Sequence, residues 1–331
     1  MMQRLRTYLS LLIAAVLLLP GCRLVDEDLS DCGGEIRINY ELRLISNMQI
    51  ELETVLNEET DVEIAEALRD YLKYIFSDMA RDVDLSFYSP EGDMPRKVHI
   101  NETIDANQAQ YTVYLPEQEY VHTCVANMEG IGPVSLMDTL YCKDSKLLLD
   151  EGGEIPCQET GVFTSRIDIK ISDDGDQTFY SYLYMANAAT VLLLDISEAG
   201  QIGEIEVATT GFADRFDIAD STYHFTTNYY VKPNRLPLED GNRLCFVSIN
   251  FPSRDVAEGD DYIWKWYVRV RMPDGTITET ILGIAEPLKA GDLKIIKAKI
   301  LDNGVAYVED PVVGMSVTLD WNEAGEHNID F

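Results

Sequence analysis

Positive charge is scarce: 26 lysines and arginines face 58 aspartates and glutamates, a formal net charge of −32 over 331 residues. Such a surface repels phosphate backbones and anionic membrane surfaces, which excludes nucleic acid as a partner. Histidine occurs at four scattered positions (His99, His122, His224, His327) and no Cys-x-x-Cys exists, so no metal site is expected. Past the first twenty residues no run has transmembrane length. The longest apolar stretch, "ATVLLLDI", is of strand length and is interrupted by Asp195. No nucleophile elbow, phosphate-cradling loop or zinc-protease motif is present, and "GIGPV" at Gly130 lacks the third glycine of a dinucleotide fingerprint. "SDDGDQ", with Asp173, Asp174 and Asp176, lacks the spacing and distal glutamate of a calcium loop and reads as a hairpin turn. Carboxylates are too numerous for any one pair to stand out as acid and base. No catalytic residue and no cofactor is expected, and the chain does not read as an enzyme.

What is present begins at the N-terminus. Arg4 and Arg6 precede an apolar run from Tyr8 to Leu19, the layout of an export signal over residues 1–21. The run ends in "LPGC", with small Gly21 before Cys22, the arrangement cleaved ahead of an acylated cysteine in bacterial lipoproteins. Cys22 is thus the expected lipidation site. Each buried methylene of its acyl chains, palmitate for example, contributes roughly 0.8 kcal/mol, so two or more chains hold a protein to a membrane without a protein span. Residues 22–32, with Asp26, Glu27 and Asp28, form an acidic tether. Loss of Arg4 and Arg6 with the leader takes the net charge from −32 to −34.

With Cys22 lipidated, five cysteines remain (Cys32, Cys124, Cys142, Cys157, Cys245), enough for two disulfides and one free thiol. Export permits bridges. Cys142 and Cys157 flank a glycine-rich loop and are the candidate pair, although spacing alone does not fix the pairing.

Along the mature chain, "EIRINYELRL" alternates strictly, with Ile36, Ile38, Tyr40, Leu42 and Leu44 on one face, and predicts a half-buried strand. Thr60 and Glu63 form a capping box ahead of Ile64, Leu68, Tyr71, Leu72, Ile75, Phe76 and Met79 at helical spacing, which predicts one helix lying against a sheet. From Val83 onward the pattern is strand and turn. "VDLSFY", "QYTVYL", "EYVHTCVANM", "IDIKI", "WKWYVRV", "LKIIKAKI" and "MSVTLDW" are apolar runs punctuated by turn sequences such as "PDG" (Pro273–Gly275) and "DNG" (Asp302–Gly304). The chain is therefore mainly β, built from sandwiches or barrels. Its length favours two domains, 33–158 and 159–331, with a break near Gln158 after the Gly- and Pro-containing "LDEGGEIPCQETG". Trp264 and Trp266 share one strand face with Val268 and Val270, which favours core packing over the rival use of the two indoles as a sugar-stacking platform.

The segments "GCRLVDEDLSDC", "DLSFYSPEGD", "YTVYLPEQEYVHTCVANMEG" and "ILDNGVAYVEDPVVGMSVTLDWNEAGEHNIDF", in that order, resemble the FimB/Mfa2 family of fimbrial subunits, lipoproteins of Bacteroidota. The resemblance implies two tandem transthyretin-like β-sandwich domains, the first carrying the short helix. It also implies a surface-exposed protein lipid-anchored to the outer membrane through Cys22, fixing the base of a fimbria, with fimbrial stalk or accessory subunits as partners. The acids after Cys22 resemble the surface-export signal of such lipoproteins.

Subunits of this kind join by strand addition, in which one chain completes another's sheet. The resemblance further implies that stalk subunits lose an N-terminal segment after an arginine, whereas an anchor keeps it. Of the early arginines Arg23, Arg37 and Arg43, the last two fall inside the predicted first strand, which is therefore expected to stay in place. The candidate strand-exchange contact is the C-terminal strand at Val317, Leu319 and Trp321. A stalk or tip subunit, and a glycan-binding lipoprotein using Trp264 and Trp266, are the alternatives.

Overall fold

The computed structural model describes residues 35–45, 62–75, 80–90, 96, 98–103, 110–129, 132–137, 139–149, 153–172, 177–257, 259, 261–308 and 313–320. The leader, Cys22, the acidic tether, Cys32, Thr60 with its part of the capping box, Asp173 to Asp176, and Trp321 lie outside these residues. In chain order the first elements are β1 (Ile36–Ile45), α1 (Val62–Ile75), β2 (Asp82–Tyr88), β3 (Val98–Thr103), β4 (Gln110–Leu115) and β5 (Glu119–Ala126). They are followed by β6 (Val134–Met137), β7 (Lys146–Leu149), β8 (Glu154–Pro156), β9 (Phe163–Lys170), β10 (Gln177–Met185) and β11 (Ala188–Asp195). Next come β12 (Glu204–Thr210), β13 (Arg215–Asp217), β14 (Thr222–His224), β15 (Tyr230–Lys232), β16 (Asn234–Leu236) and β17 (Arg243–Asn250). The chain closes with β18 (Trp264–Arg271), β19 (Ile277–Ile284), β20 (Leu293–Ile300), β21 (Ala306–Tyr307) and β22 (Val313–Asp320). The protein is mainly β, with one α-helix among the described residues.

Among the described residues four sheets form: a seven-stranded sheet in the order β3-β2-β5-β9-β10-β1-β4, a five-stranded sheet β16-β17-β11-β20-β21, a six-stranded sheet β22-β19-β18-β12-β15-β8, and a four-stranded sheet β14-β13-β7-β6. Most pairs are antiparallel, as tight turns require. At the "PDG" turn Gly275 adopts φ 90° and its N–H donates to Met272 O (3.0 Å), while Met272 N–H donates to Thr276 O (2.8 Å). Two long parallel pairs, β1 with β10 and β11 with β20, join strands far apart in sequence.

The five-stranded sheet is a middle layer. On β11 the odd residues Ala189, Val191 and Leu193 pack with Ile38, Tyr40, Leu85 and Phe87 of the seven-stranded sheet and with Ile64, Leu68 and Leu72 of α1. The even residues Leu192 and Leu194 pack with Trp264, Trp266 and Val268 of the six-stranded sheet. A strand buried on both faces reads as a continuous apolar run, which is why "ATVLLLDI" shows no alternation. The helix is held at its start by Glu63, whose Oε1 accepts the N–H of Asp240 (3.2 Å) and that of Glu239. At its far end Tyr71 Oη accepts from Asn234 Nδ2 (2.6 Å). Both contacts reach into the second half of the chain.

Near Gln158, where the sequence suggests a domain break, the chain is not linker-like. Gln158 is buried, its N–H donates to Ile249 O (3.0 Å), and its Oε1 accepts from Asn187 Nδ2 (2.9 Å). Beyond it β9 and β10 complete the seven-stranded sheet, while β8, before it, pairs with β15 in the six-stranded sheet. By hydrogen bonding, the changeover between the first sheet and the middle layer falls between Met185 and Ala188.

Candidate functional site: the C-terminal edge strand

Each sheet ends in two edge strands, and they differ in length. β6, β8, β14, β16 and β21 run two to four residues and β3 and β4 run six, whereas β22 runs eight. Short strands, prolines and lysines are the usual protection of a sheet edge. β22, VGMSVTLD, has none of them. It pairs antiparallel with β19 over its whole length, from Ile284↔Val313 to Ile277↔Asp320, and its other side has no strand partner among the described residues. Val317 sits opposite Thr280 and Leu319 opposite Thr278.

The strand beneath is fixed firmly. Thr278 and Thr280 of β19 are fully buried; Thr278 Oγ1 donates to Asn303 O (3.0 Å), and Thr280 Oγ1 accepts from Ala306 N–H (3.0 Å). These bonds tie β19 to the "DNG" turn, where Gly304 takes φ 79°. At Gly283, opposite Gly314 on β22, the Tyr262 ring lies directly on the backbone: an added Cβ would stand 2.3 Å from Tyr262 Cγ. The arrangement presents a row of backbone donors and acceptors along β22. Its chemistry is main-chain pairing.

β1, by contrast, is interior to its sheet, parallel to β10 on one side and antiparallel to β4 on the other. Ile38 and Tyr40 are buried, and the Tyr40 hydroxyl donates to His122 Nε2. His122 donates from Nδ1 to Ser86 O (3.0 Å) and stacks on Phe87 at 4.3 Å. Burial lowers the pKa of His122 to about 4, so the ring is neutral and its Nε2 is free to accept, although the Ser86 carbonyl acts in the opposite direction. Arg37 is an exposed side chain on a backbone paired to Tyr114.

The cysteine expectation is corrected. Cys142 and Cys157 are both free thiols, as are Cys124 and Cys245, and all four are buried. Cys142 sits in a 3-10 turn between β6 and β7, whereas Cys157 follows β8, packs in the core between the middle and six-stranded sheets, and has its Sγ 3.9 Å from Val247 O. Burial raises the pKa of each thiol, that of Cys245 to about 12, which makes them poor nucleophiles. The sugar platform on Trp264 and Trp266 is likewise ruled out. Trp264 is 1% exposed, with Nε1 donating to Glu286 O (2.8 Å), and Trp266 is 0% exposed, with Nε1 donating to Thr190 Oγ1 (3.3 Å). Among the described residues no group of three or more His, Cys, Asp or Glu side chains gathers as a metal site, and no helix is long and apolar enough to cross a membrane.

No protein-family model matches the chain, and no curated protein matches it. Solved structures do. A candidate adhesin from Bacteroides ovatus is 10% identical, with 88% of this chain and 97% of that chain covered and a TM-score of 0.56. A candidate polysaccharide-binding protein from Bacteroides thetaiotaomicron is 10% identical, with 85% and 98% covered and a TM-score of 0.54. The fimbrial anchor protein Mfa2 from Porphyromonas gingivalis is 10% identical, with 86% and 98% covered and a TM-score of 0.47. The two Bacteroides likenesses establish a shared fold over nearly the whole of each chain.

Proposed function

We propose that the chain is a surface lipoprotein of the FimB/Mfa2 kind, built as tandem transthyretin-like sandwiches, that fixes the base of a fimbria to the outer membrane. Cys22 carries the acyl chains, the acidic residues after it form the tether, and a stalk or accessory subunit pairs with the C-terminal edge. The observation that carries this reading is β22: eight residues of edge with no strand partner among the described residues, on a well-anchored strand, at the position of Val317 and Leu319. A strand added there extends the ladder with main-chain hydrogen bonds, and affinity comes from completing a sheet rather than from a charged patch. An anchor would keep β1, and the place of β1 between β10 and β4 fits that reading. Removal of residues up to Arg43 would unpair β10 and β4 together and take Tyr40, the partner of His122, out of the core, whereas removal up to Arg37 would strip only the pairs of Ile36 and Arg37 with β4.

Two measurements test this. In cells carrying Cys22→Ala, the protein and its attached fibre are expected together in the medium, and a fibre left on the cell while this protein alone is shed would refute anchoring. On adding the purified stalk subunit, amide exchange of residues 313–320 is expected to slow. Slowing confined to another edge, such as β3 or β4, would move the contact away from Val317 and Leu319.

A further inference from the structure

The outer face of the seven-stranded sheet divides in two. Over β5 it is covered by the four-stranded sheet, with Val125 packing in one cluster with Val134, Leu147 and Phe216. Toward β10, β1 and β4 no described element covers it, and β10 presents an unusual row there. Tyr180, Tyr182 and Tyr184 are 47%, 42% and 59% exposed, while Ser181, Leu183 and Met185, alternating with them, are buried on the opposite face. Pairing with β1 sets Tyr180 beside Glu41 and Tyr182 beside Arg43. On β9, next to β10, exposed Arg166 and Asp168 form an ion pair at 3.1 Å.

Three large rings partly exposed along one strand leave apolar surface that a ligand can cover. The composition of the face says what. Its aromatic groups are all tyrosines, each with a polar tip, and charged residues are interleaved with them, whereas the buried core of a protein interface is depleted of charge. By register Arg37, Glu41 and Arg43 on β1 and Arg166 and Asp168 on β9 belong to this face, a formal charge of only +1 on a molecule of net charge −32 and too small an excess to select an ionic partner. Tyrosine faces pack on the C–H faces of pyranose rings, while phenol, carboxylate and guanidinium groups hydrogen-bond the hydroxyls. The row spans four residue steps of extended strand, about 13 Å, which is longer than one sugar ring.

We propose that Tyr180, Tyr182 and Tyr184 on the open outer face of the seven-stranded sheet form a binding platform for a neutral oligosaccharide or polysaccharide chain. This site lies on a different sheet from β22 and does not depend on fibre anchoring.

The test is native affinity electrophoresis of the full mature chain in gels containing starch, galactomannan, xyloglucan or yeast mannan, with polygalacturonate as the anionic comparison. Retardation is expected in at least one neutral gel and not in polygalacturonate. Tyr182→Ala is expected to weaken it roughly two- to tenfold, the amount one aromatic contact contributes. The triple variant Tyr180→Ala, Tyr182→Ala, Tyr184→Ala is expected to abolish it with the thermal midpoint unchanged. Tyr114→Ala, also exposed but on β4 at the level of Arg37, serves as the control and is expected to leave it intact. Free migration in all four neutral gels, retardation in polygalacturonate alone, or retardation that survives the triple variant would each overturn the proposal. So would a dimer in sedimentation velocity that the triple variant dissolves, which would assign the face to a second copy of the chain.

Discussion

Full burial takes His122 away from its ordinary chemistry. Its folded pKa of about 4 lies below the usual 6.5, so above pH 6.5 both folded and unfolded chains carry a neutral ring. As pH falls from 6.5 toward 4, the unfolded chain takes up a proton that the folded one refuses, and stability is lost over that window. The full loss is about 3 kcal/mol from this one residue. Urea unfolding at pH 7 and pH 4.5 is expected to show this drop in the wild type and a smaller one in His122→Gln. Equal drops would show that His122 does not govern acid sensitivity. The sequence marked His122 as one of four scattered histidines and no more. Its neutral state comes from burial against Tyr40 and Phe87, which arrive from two other strands, and it holds despite the opposing pull of the Ser86 carbonyl.

At the scale of elements, two glycines decide how closely strands and rings approach. A Cβ at Gly211, φ 102°, would stand 2.7 Å from Trp264 Cα and from Ile263 O, and backbone atoms cannot swing aside. A Cβ at Gly283 meets the half-exposed Tyr262 ring instead, which can rotate away. Gly211→Ala is therefore expected to cost about 3 kcal/mol or more, and Gly283→Ala about 1–2 kcal/mol. Tyr262→Ala is expected to relieve the second cost but not the first, read as non-additivity in the double variants by thermal or urea unfolding.

Much at this scale was legible from sequence. β1, β18 and β20 follow their apolar patterns, and Trp264 and Trp266 fall in the core as their shared face with Val268 suggests. The parallel pairings of β1 and β11 were not, because nothing local to a strand names a partner more than a hundred residues away. The tyrosine row was also hidden. In "QTFYSYLYM" the residues alternating with the tyrosines are Phe179, Ser181, Leu183 and Met185, three of them apolar, so the local pattern does not say which face meets water. Val317 and Leu319 were found as a strand, but an edge is a property of the sheet, since only the absence of a neighbour beyond β22 confers it.

For the whole molecule, the middle sheet makes the two halves of the chain interdependent. α1 and the seven-stranded sheet share a core with Val191, Val247 and Leu293, and the opposite face of the same sheet supports Trp264 and Trp266. A fragment of residues 33–158 lacks β9, β10 and β11. It is expected to be without cooperative unfolding or dispersed amide resonances, while residues 33–331 unfold in a single transition. A fragment that melts sharply by itself would show that the N-terminal half is autonomous after all.

The interior position of β1 bears on how the molecule carries load. Tension applied to the chain ahead of Ile36 enters along the axis of a strand bonded on both sides, to β10 and to β4. Hydrogen bonds in an antiparallel ladder lie across the strand direction, so an axial pull shears the pairs together, whereas a pull at right angles peels them off one after another. Entry through a central strand thus turns two ladders into parallel resistors against extraction, and a pull along β1 meets both at once.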